Sequence, residues 1–301
     1  MKKVLSVLLS LTMVAVLAAC GGQGADGDGG NPDKLVMGFV PSQDSDKIAD
    51  TVQPLAEQLS EELGIEVEGR VMTNYSALVE AMGSNQVQIG FIPAFGYVLA
   101  NEKHGVEVIL KSERHGSDTY RAQYVVQGDS GIQSLKDLKG KTWAYVDAAS
   151  TSGYLFPAAQ IMDEFDVKDP TTQFFGEVVQ AGSHDNALIT VYEGEADVAT
   201  TFEDARTGLE EDYPDIMDKL EVIEYTDEIP NDTISVTKNL DDELVQKIQQ
   251  AFLRFNDNEE MIQIMNDVYN WDAIREAADE DFDIVRDTFK KFEDSIDLDG
   301  S

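Results

Sequence analysis

The sequence predicts an α/β protein of two lobes, joined by two extended hinge crossings around a central ligand cleft. Two observations carry that expectation. Short apolar or alternating runs take turns with amphipathic stretches, the pattern of mostly parallel sheets covered by helices. The series also pauses near Tyr120 and returns after Thr233, so one lobe starts, a second is inserted, and the first is completed. With 301 residues, 42% of them hydrophobic, the chain has material for about two domains. Lobe 1 is expected over residues 34–125 and 229–301, and lobe 2 over 126–228.

Lys34 to Val40 is a short apolar run and reads as a buried strand. From Asp44 to Leu63, the residues Ile48, Val52, Leu55, Leu59 and Leu63 recur at helical spacing, and Gly64 is a natural stop. Ile65 to Val71 alternates as a strand does. Tyr75 to Gly83 is helical, with Leu78, Val79 and Met82 inward. Val87 to Ile92 and Val106 to Leu110 are strands around a helix from Phe95 to Lys103.

Tyr120 to Gln127 is a long strand at the first crossing. A helical turn at Leu135 to Gly140 precedes a strand at Thr142 to Val146. Ser150 to Phe165 reads as a helix, Phe174 to Val179 as a strand, His184 to Glu193 as a helix and Val198 to Phe202 as a strand. Thr233 to Val236 is extended and leads back to the first lobe. The remainder is helical: Asp241 to Phe255, Glu259 to Val268 and Asp281 to Phe292.

The net charge is -36, from 22 Lys+Arg against 58 Asp+Glu. That excess argues against nucleic-acid binding and against polybasic adhesion to anionic lipid. A solvated acidic surface accounts for it. At the start, Met1-Lys2-Lys3 precedes an apolar run from Val4 to Leu17, too short for a comfortable membrane span. Leu17-Ala18-Ala19-Cys20-Gly21 then resembles a bacterial lipobox. Residues 1–19 are expected to be a lipoprotein signal peptide, and Cys20 the lipidated N-terminus. Residues 20–33 are Gly-rich and read as a flexible tether. A plain secretory signal with an incidental Cys is the alternative. A single Cys excludes an intrachain disulfide. No motif points to a nucleotide loop, a metal, a cofactor or a catalytic residue.

The segment Asp147-Ala-Ala-Ser150-Thr151-Ser152-Gly153 lies where a strand ends and a helix begins. The first helical turn presents unpaired N–H groups and a positive dipole end, and hydroxyls there complete a neutral anion cradle. An ordinary Ser/Thr cap needs only one such residue, and both readings stand. Ala181-Gly182-Ser183-His184-Asp185 sits at a similar junction; His184 could donate to an anion or simply cap. Ile229-Pro230-Asn231-Asp232-Thr233 lies at the second crossing. Asp232 is either a turn residue or a selector, because a carboxylate facing an oxyanion accepts only from a protonated oxygen or an amine.

Taken together, GFVPSQDSDKI from Gly38, YSALVEAM from Tyr75, QIGFIPAFGYV from Gln88, STSGYLFP from Ser150, AGSHDNAL from Ala181 and IPNDTISV from Ile229 carry a family resemblance. The chain resembles the PhnD-like phosphate/phosphite/phosphonate-binding proteins of ABC importers, which have the type 2 periplasmic-binding fold. The resemblance implies ligand-binding roles for Ser150, Thr151 and Ser152 on the phosphonyl oxygens, with His184, Tyr75, Tyr120 and Asp232 around them. Ser42, from the Pro41-Ser42 loop, and Tyr97 are weaker candidates. Glu203 or Asp204 would hold the amine of an aminophosphonate. The expected function is an extracytoplasmic, lipid-anchored receptor. It would deliver a small phosphorus oxyanion to an ABC permease, touching the membrane through its lipid alone and binding no nucleic acid. A sulfonate or another small anion, a sensory role and an exported phosphoesterase are the alternatives.

Overall fold

The computed structural model describes residues 32–292. The expected signal peptide, Cys20 and the tether up to residue 31 lie outside the described residues.

The first sheet begins with β1 (Lys34–Phe39), α1 (Ser45–Leu63), β2 (Glu66–Val71), α2 (Tyr75–Gly83), β3 (Ile89–Ile92), α3 (Ala94–His104) and β4 (Glu107–Glu113). Asp44 caps α1 by accepting the N–H groups of Asp46 and Lys47, and Gly64 ends it in the left-handed region at φ 67°. The chain then builds β5 (Thr119–Gln127), β6 (Thr142–Tyr145), α4 (Phe156–Phe165), α5 (Pro170–Gln173), β7 (Glu177–Gln180), α6 (His184–Tyr192), β8 (Val198–Phe202), α7 (Ile216–Lys219) and β9 (Leu220–Pro230). It closes with β10 (Thr233–Val236), α8 (Asp242–Arg254), α9 (Glu259–Tyr269), β11 (Ala273–Glu276) and α10 (Asp283–Phe289).

These strands form a six-stranded sheet, order β11-β4-β10-β3-β1-β2, and a five-stranded sheet, order β7-β6-β8-β5-β9. In the first, β1 runs parallel to β2 and β3, while β10 is antiparallel to β3 and β4. In the second, β6 is parallel to β7 and β8, and β5 is antiparallel to β8 and β9. The two-sheet α/β architecture is the one the alternating pattern predicts, but the sheets are mixed rather than mostly parallel, because β5, β9, β10 and β11 enter antiparallel at and after the crossings.

Several elements differ from expectation. β9 has no counterpart in the sequence pattern, because its residues, LEVIEYTDEIP, mix acidic and apolar types with no clean period. It pairs along β5 from Pro230 opposite Thr119 to Leu220 opposite Gln127. The second sheet therefore takes in all of Thr119–Gln127 and continues to Pro230, beyond the expected 126–228. Ser150 to Phe165 is not one helix: Thr151–Leu155 forms a π-helical turn before α4. The strand expected from Phe174 starts at Glu177, because Asp169 caps the turn Pro170–Gln173 and sends Phe174 and Phe175 into the core. Asp281 to Phe292 divides into α10 with a 3₁₀ turn at each end.

The core has two clusters. One packs Phe39, Phe91 and Ile234 of the first sheet against α1, α8 and α9. The other runs from α2 and α3 through the second sheet to α10. The C-terminal segment joins both halves: Phe289 packs on Phe95 at 5.1 Å between ring centroids, and Phe292 lies 6.3 Å from Tyr154.

Candidate ligand-binding site

The connections between the sheets position the site. The chain leaves β4 at Glu113, enters β5 at Thr119, and returns from Pro230 to Thr233. Asn231 is fully buried, and its amide donates to the carbonyls of Ser112 at 3.1 Å and Ser117 at 2.8 Å. The Ser112 N–H donates to the Asp232 carbonyl at 2.9 Å. One side-chain amide thus ties both connections together, and the flanking Arg114 and Asp232 line one cavity.

That cavity lies between the sheets. Ser42 and Tyr75 come from the first half, Tyr120 from β5, and Ser150, Ser152 and His184 from the second half. Its volume is ≈ 30 Å³, on a scale where roughly 10–15 Å³ admits one water. Tyr75 opens α2, where the Asn74 side chain accepts the Ala77 N–H at 2.7 Å. His184 opens α6, where the Ser183 hydroxyl oxygen accepts from Asn186 at 3.1 Å. The Ser150 hydroxyl oxygen accepts from Gly153 at 3.0 Å at the start of the π turn. Three helical N-termini therefore meet at the cavity, each presenting N–H groups and a positive dipole end.

Several polar groups in the wall are buried with no hydrogen-bond partner among the described residues: the Tyr75 hydroxyl, His184 Nδ1 and Trp271 Nε1. Buried polar atoms are normally satisfied, so these call for an occupant. Burial, reinforced by the Arg114 charge, pushes His184 down to about 3, so its imidazole is neutral at pH 7. Burial raises the Asp232 carboxyl above its ordinary value, with Arg114 opposing. Burial also raises Tyr75 and Tyr120, which keep their protons as donors. Among the described residues no His, Cys, Asp and Glu cluster could hold a metal ion.

The structure brings Ser42, Tyr75, Tyr120, Ser150, Ser152, His184 and Asp232 to this one cavity. It places the other candidates elsewhere. Thr151 is fully buried beside the wall, and its hydroxyl oxygen accepts the Phe95 N–H at 2.9 Å. Tyr97 is packed on Phe282 and donates to Asp279. Glu203 accepts from the Arg121 backbone N–H and guanidinium, both at 3.0 Å. Asp204 precedes the turn Ala205–Leu209 in a left-handed conformation at φ 65°, outside the cavity lining.

Arg114, Phe202, Tyr269 and Trp271 line the cavity without having been expected there. Arg114 adds a cation to the neutral anion cradle expected at Ser150, Thr151 and Ser152. In the sequence only its position marks it, a lone Arg between Ser112 and Asp118 just ahead of the first crossing, with no periodicity to single it out. Trp271 carried no such signal, because it follows α9 at the far end of the chain.

The family model of the ABC transporter, phosphonate, periplasmic substrate-binding protein matches residues 37–282. The chain is 26% identical over 232 residues to the phosphate-import protein PhnD of Mycolicibacterium smegmatis, covering 74% of this chain and 72% of that protein. Its fold resembles the binding protein component of an ABC phosphonate transporter from Pseudomonas aeruginosa, with TM-score 0.78, 24% identity and 86% of each chain covered. It also resembles PhnD1 from Prochlorococcus marinus in complex with methylphosphonate, with TM-score 0.76 and 19% identity over 87% of this chain and 99% of that one. A match across the cleft-forming residues from β1 to Phe282 makes this chain a member of the phosphonate periplasmic substrate-binding proteins of ABC transporters.

Proposed function

We propose that this protein captures a compact phosphorus oxyanion (phosphonate, phosphite or phosphate) and delivers it to an ABC permease, tethered to the membrane by lipid on Cys20. One observation carries the ligand reading. The cavity gathers unpartnered buried polar atoms of Tyr75, His184 and Trp271 around the hydroxyls of Ser150 and Ser152. Donors converging on so small a space suit a tetrahedral oxyanion, and related proteins are named for phosphate import and seen with methylphosphonate. Asp232 accepts a hydrogen bond from a protonated oxygen, so it favours a P–OH group over fully deprotonated sulfate.

Capture works by closure of the two lobes, residues 34–113 and 233–292 against 119–230. Ligand contacts from both sides make the closed form the better binder, so ligand shifts the population toward it. The permease then reads the outer surface of the closed lobes. Thermal melting with phosphite, methylphosphonate, inorganic phosphate and sulfate tests the reading. Stabilisation by a phosphorus oxyanion is expected. Stabilisation by sulfate alone would overturn the phosphorus assignment.

A further inference from the structure

We propose that Arg114 sets the charge this cleft accepts on the ligand's substituent, favouring a second negative charge and turning away an ammonium. The inference rests on the reading of the cavity as a phosphorus-oxyanion site. Arg114 is 8% exposed and lines the cavity. Its guanidinium stands 4.7 Å from the Phe202 ring centroid and 5.7 Å from that of Tyr120. It makes no ion pair and no side-chain hydrogen bond among the described residues. Asp232 feels this charge across the cavity without closing an ion pair on it, so the buried guanidinium keeps unmet hydrogen-bonding capacity that stacking on an aromatic ring offsets only in part. An anionic occupant supplies the missing partner.

The geometry places this cation beside the oxyanion donors. Phe202 carries Arg114 over its ring and meets the His184 imidazole at 4.7 Å and 66°. The same aromatic side chain therefore braces the neutral donor and the cation. Among the lining residues Asp232 is the one carboxylate. Glu203, which could have received an ammonium, is engaged by Arg121. An aminophosphonate would thus bring its positive charge beside Arg114, where the one carboxylate, Asp232, already answers the guanidinium's charge.

Titration calorimetry of the full-length protein tests this with methylphosphonate, phosphonoformate and 2-aminoethylphosphonate. Hydrogen bonds to charged groups set the scale, so phosphonoformate should bind about tenfold or more tighter than 2-aminoethylphosphonate. Arg114→Gln should weaken phosphonoformate about tenfold more than it weakens 2-aminoethylphosphonate, whereas Arg114→Lys should keep the order of affinities. Wild-type preference for 2-aminoethylphosphonate, or unchanged ratios in Arg114→Gln, would overturn the inference while leaving the oxyanion reading intact. If Arg114→Gln does not fold, the wild-type order and Arg114→Lys decide. If the wild-type protein binds none of the three and no phosphate, the oxyanion reading fails and this inference with it.

Discussion

The backbone N–H of His184 donates to the Ser42 carbonyl at 2.8 Å, joining the helix that carries the imidazole to the loop on the opposite side of the cleft. Two more bonds cross between the halves, with the donors in the first half. The Asp44 N–H donates to Asp185 Oδ2 at 2.9 Å, and the Phe95 N–H to Thr151 Oγ1 at 2.9 Å. Each partner comes from a different half of the molecule, so these bonds exist only when the halves are together. They are the contacts that ligand binding would consolidate in the proposed closure.

The Asp185 carboxylate in this set makes stability depend on pH. Burial pushes Asp185 up to about 6, with the Asp44 N–H and Lys47 opposing. Between the ordinary carboxylate pKa and that value, the folded chain keeps a proton that the unfolded chain has lost. Stability from this group therefore rises as pH falls through the window, and above it the buried charge is a full cost. Asp185→Asn keeps an acceptor for Asp44 and removes the charge. The variant should melt above wild type at pH 7, and the gap should close toward pH 4 in a melting series.

Thr151 should matter although its side chain does not line the cavity. Thr151→Val preserves shape and strands the Phe95 N–H in the closed form. A buried donor left unmade costs about 1–3 kcal/mol. Ligand affinity should fall accordingly, read by calorimetry. If instead the open protein were destabilised by that amount with affinity unchanged, the bond would not belong to closure.

Much of this was legible in the primary structure, for identifiable reasons. Ser150, Ser152 and His184 announced themselves because small hydroxyls and a rare His sit where strands give way to helices. Asp232 was a candidate because the second crossing interrupts an otherwise regular alternation, whereas Tyr120 came only with the family resemblance. Arg114 was not, since a single Arg in a short loop carries no periodic signal, and its importance comes from Asn231 drawing two distant connections together. Trp271 was hidden for a related reason: it reaches the cavity only because α9 and β11 fold back onto the first sheet.

Tyr97 separates packing from binding. Its hydroxyl and Arg286 both donate to Asp279, and its ring meets Phe282 at 5.0 Å. Tyr97→Phe keeps the ring and deletes one hydrogen bond to a carboxylate. Stability should drop by about 1–3 kcal/mol in a denaturant melt. Affinity for methylphosphonate should not change; a tenfold loss would move Tyr97 into the site.

Gly153 is required by the shape of the cradle. A Cβ there would lie 2.5 Å from Val146 Cβ and 2.8 Å from the Ser150 hydroxyl. Val146 is fully buried and its Cβ cannot swing aside, so the π turn must move instead. Gly153→Ala should cost about 1–3 kcal/mol of stability, as overpacking does. It should also displace the Ser150 hydroxyl and weaken phosphonate binding in calorimetry, while the same change at exposed Gly208, which has open space around it and no positive φ, should leave binding unaffected.

The net charge of -36 should govern how fast the ligand arrives more than how long it stays. An anion approaching the cleft crosses a repulsive field that salt screens. The screening length shrinks from about 30 Å at 0.01 M to about 8 Å at 0.15 M. Inside, Arg114 and the helix N-termini act at contact distance in a wall that excludes most ions, so salt reaches them weakly. Trp271 lines the cavity and supplies an intrinsic fluorescence signal for stopped-flow mixing. The association rate for methylphosphonate should rise several-fold across that range, with the dissociation rate nearly constant. An association rate that falls with salt would mean that the cleft mouth is locally positive and that Arg114 reaches well beyond the cavity wall.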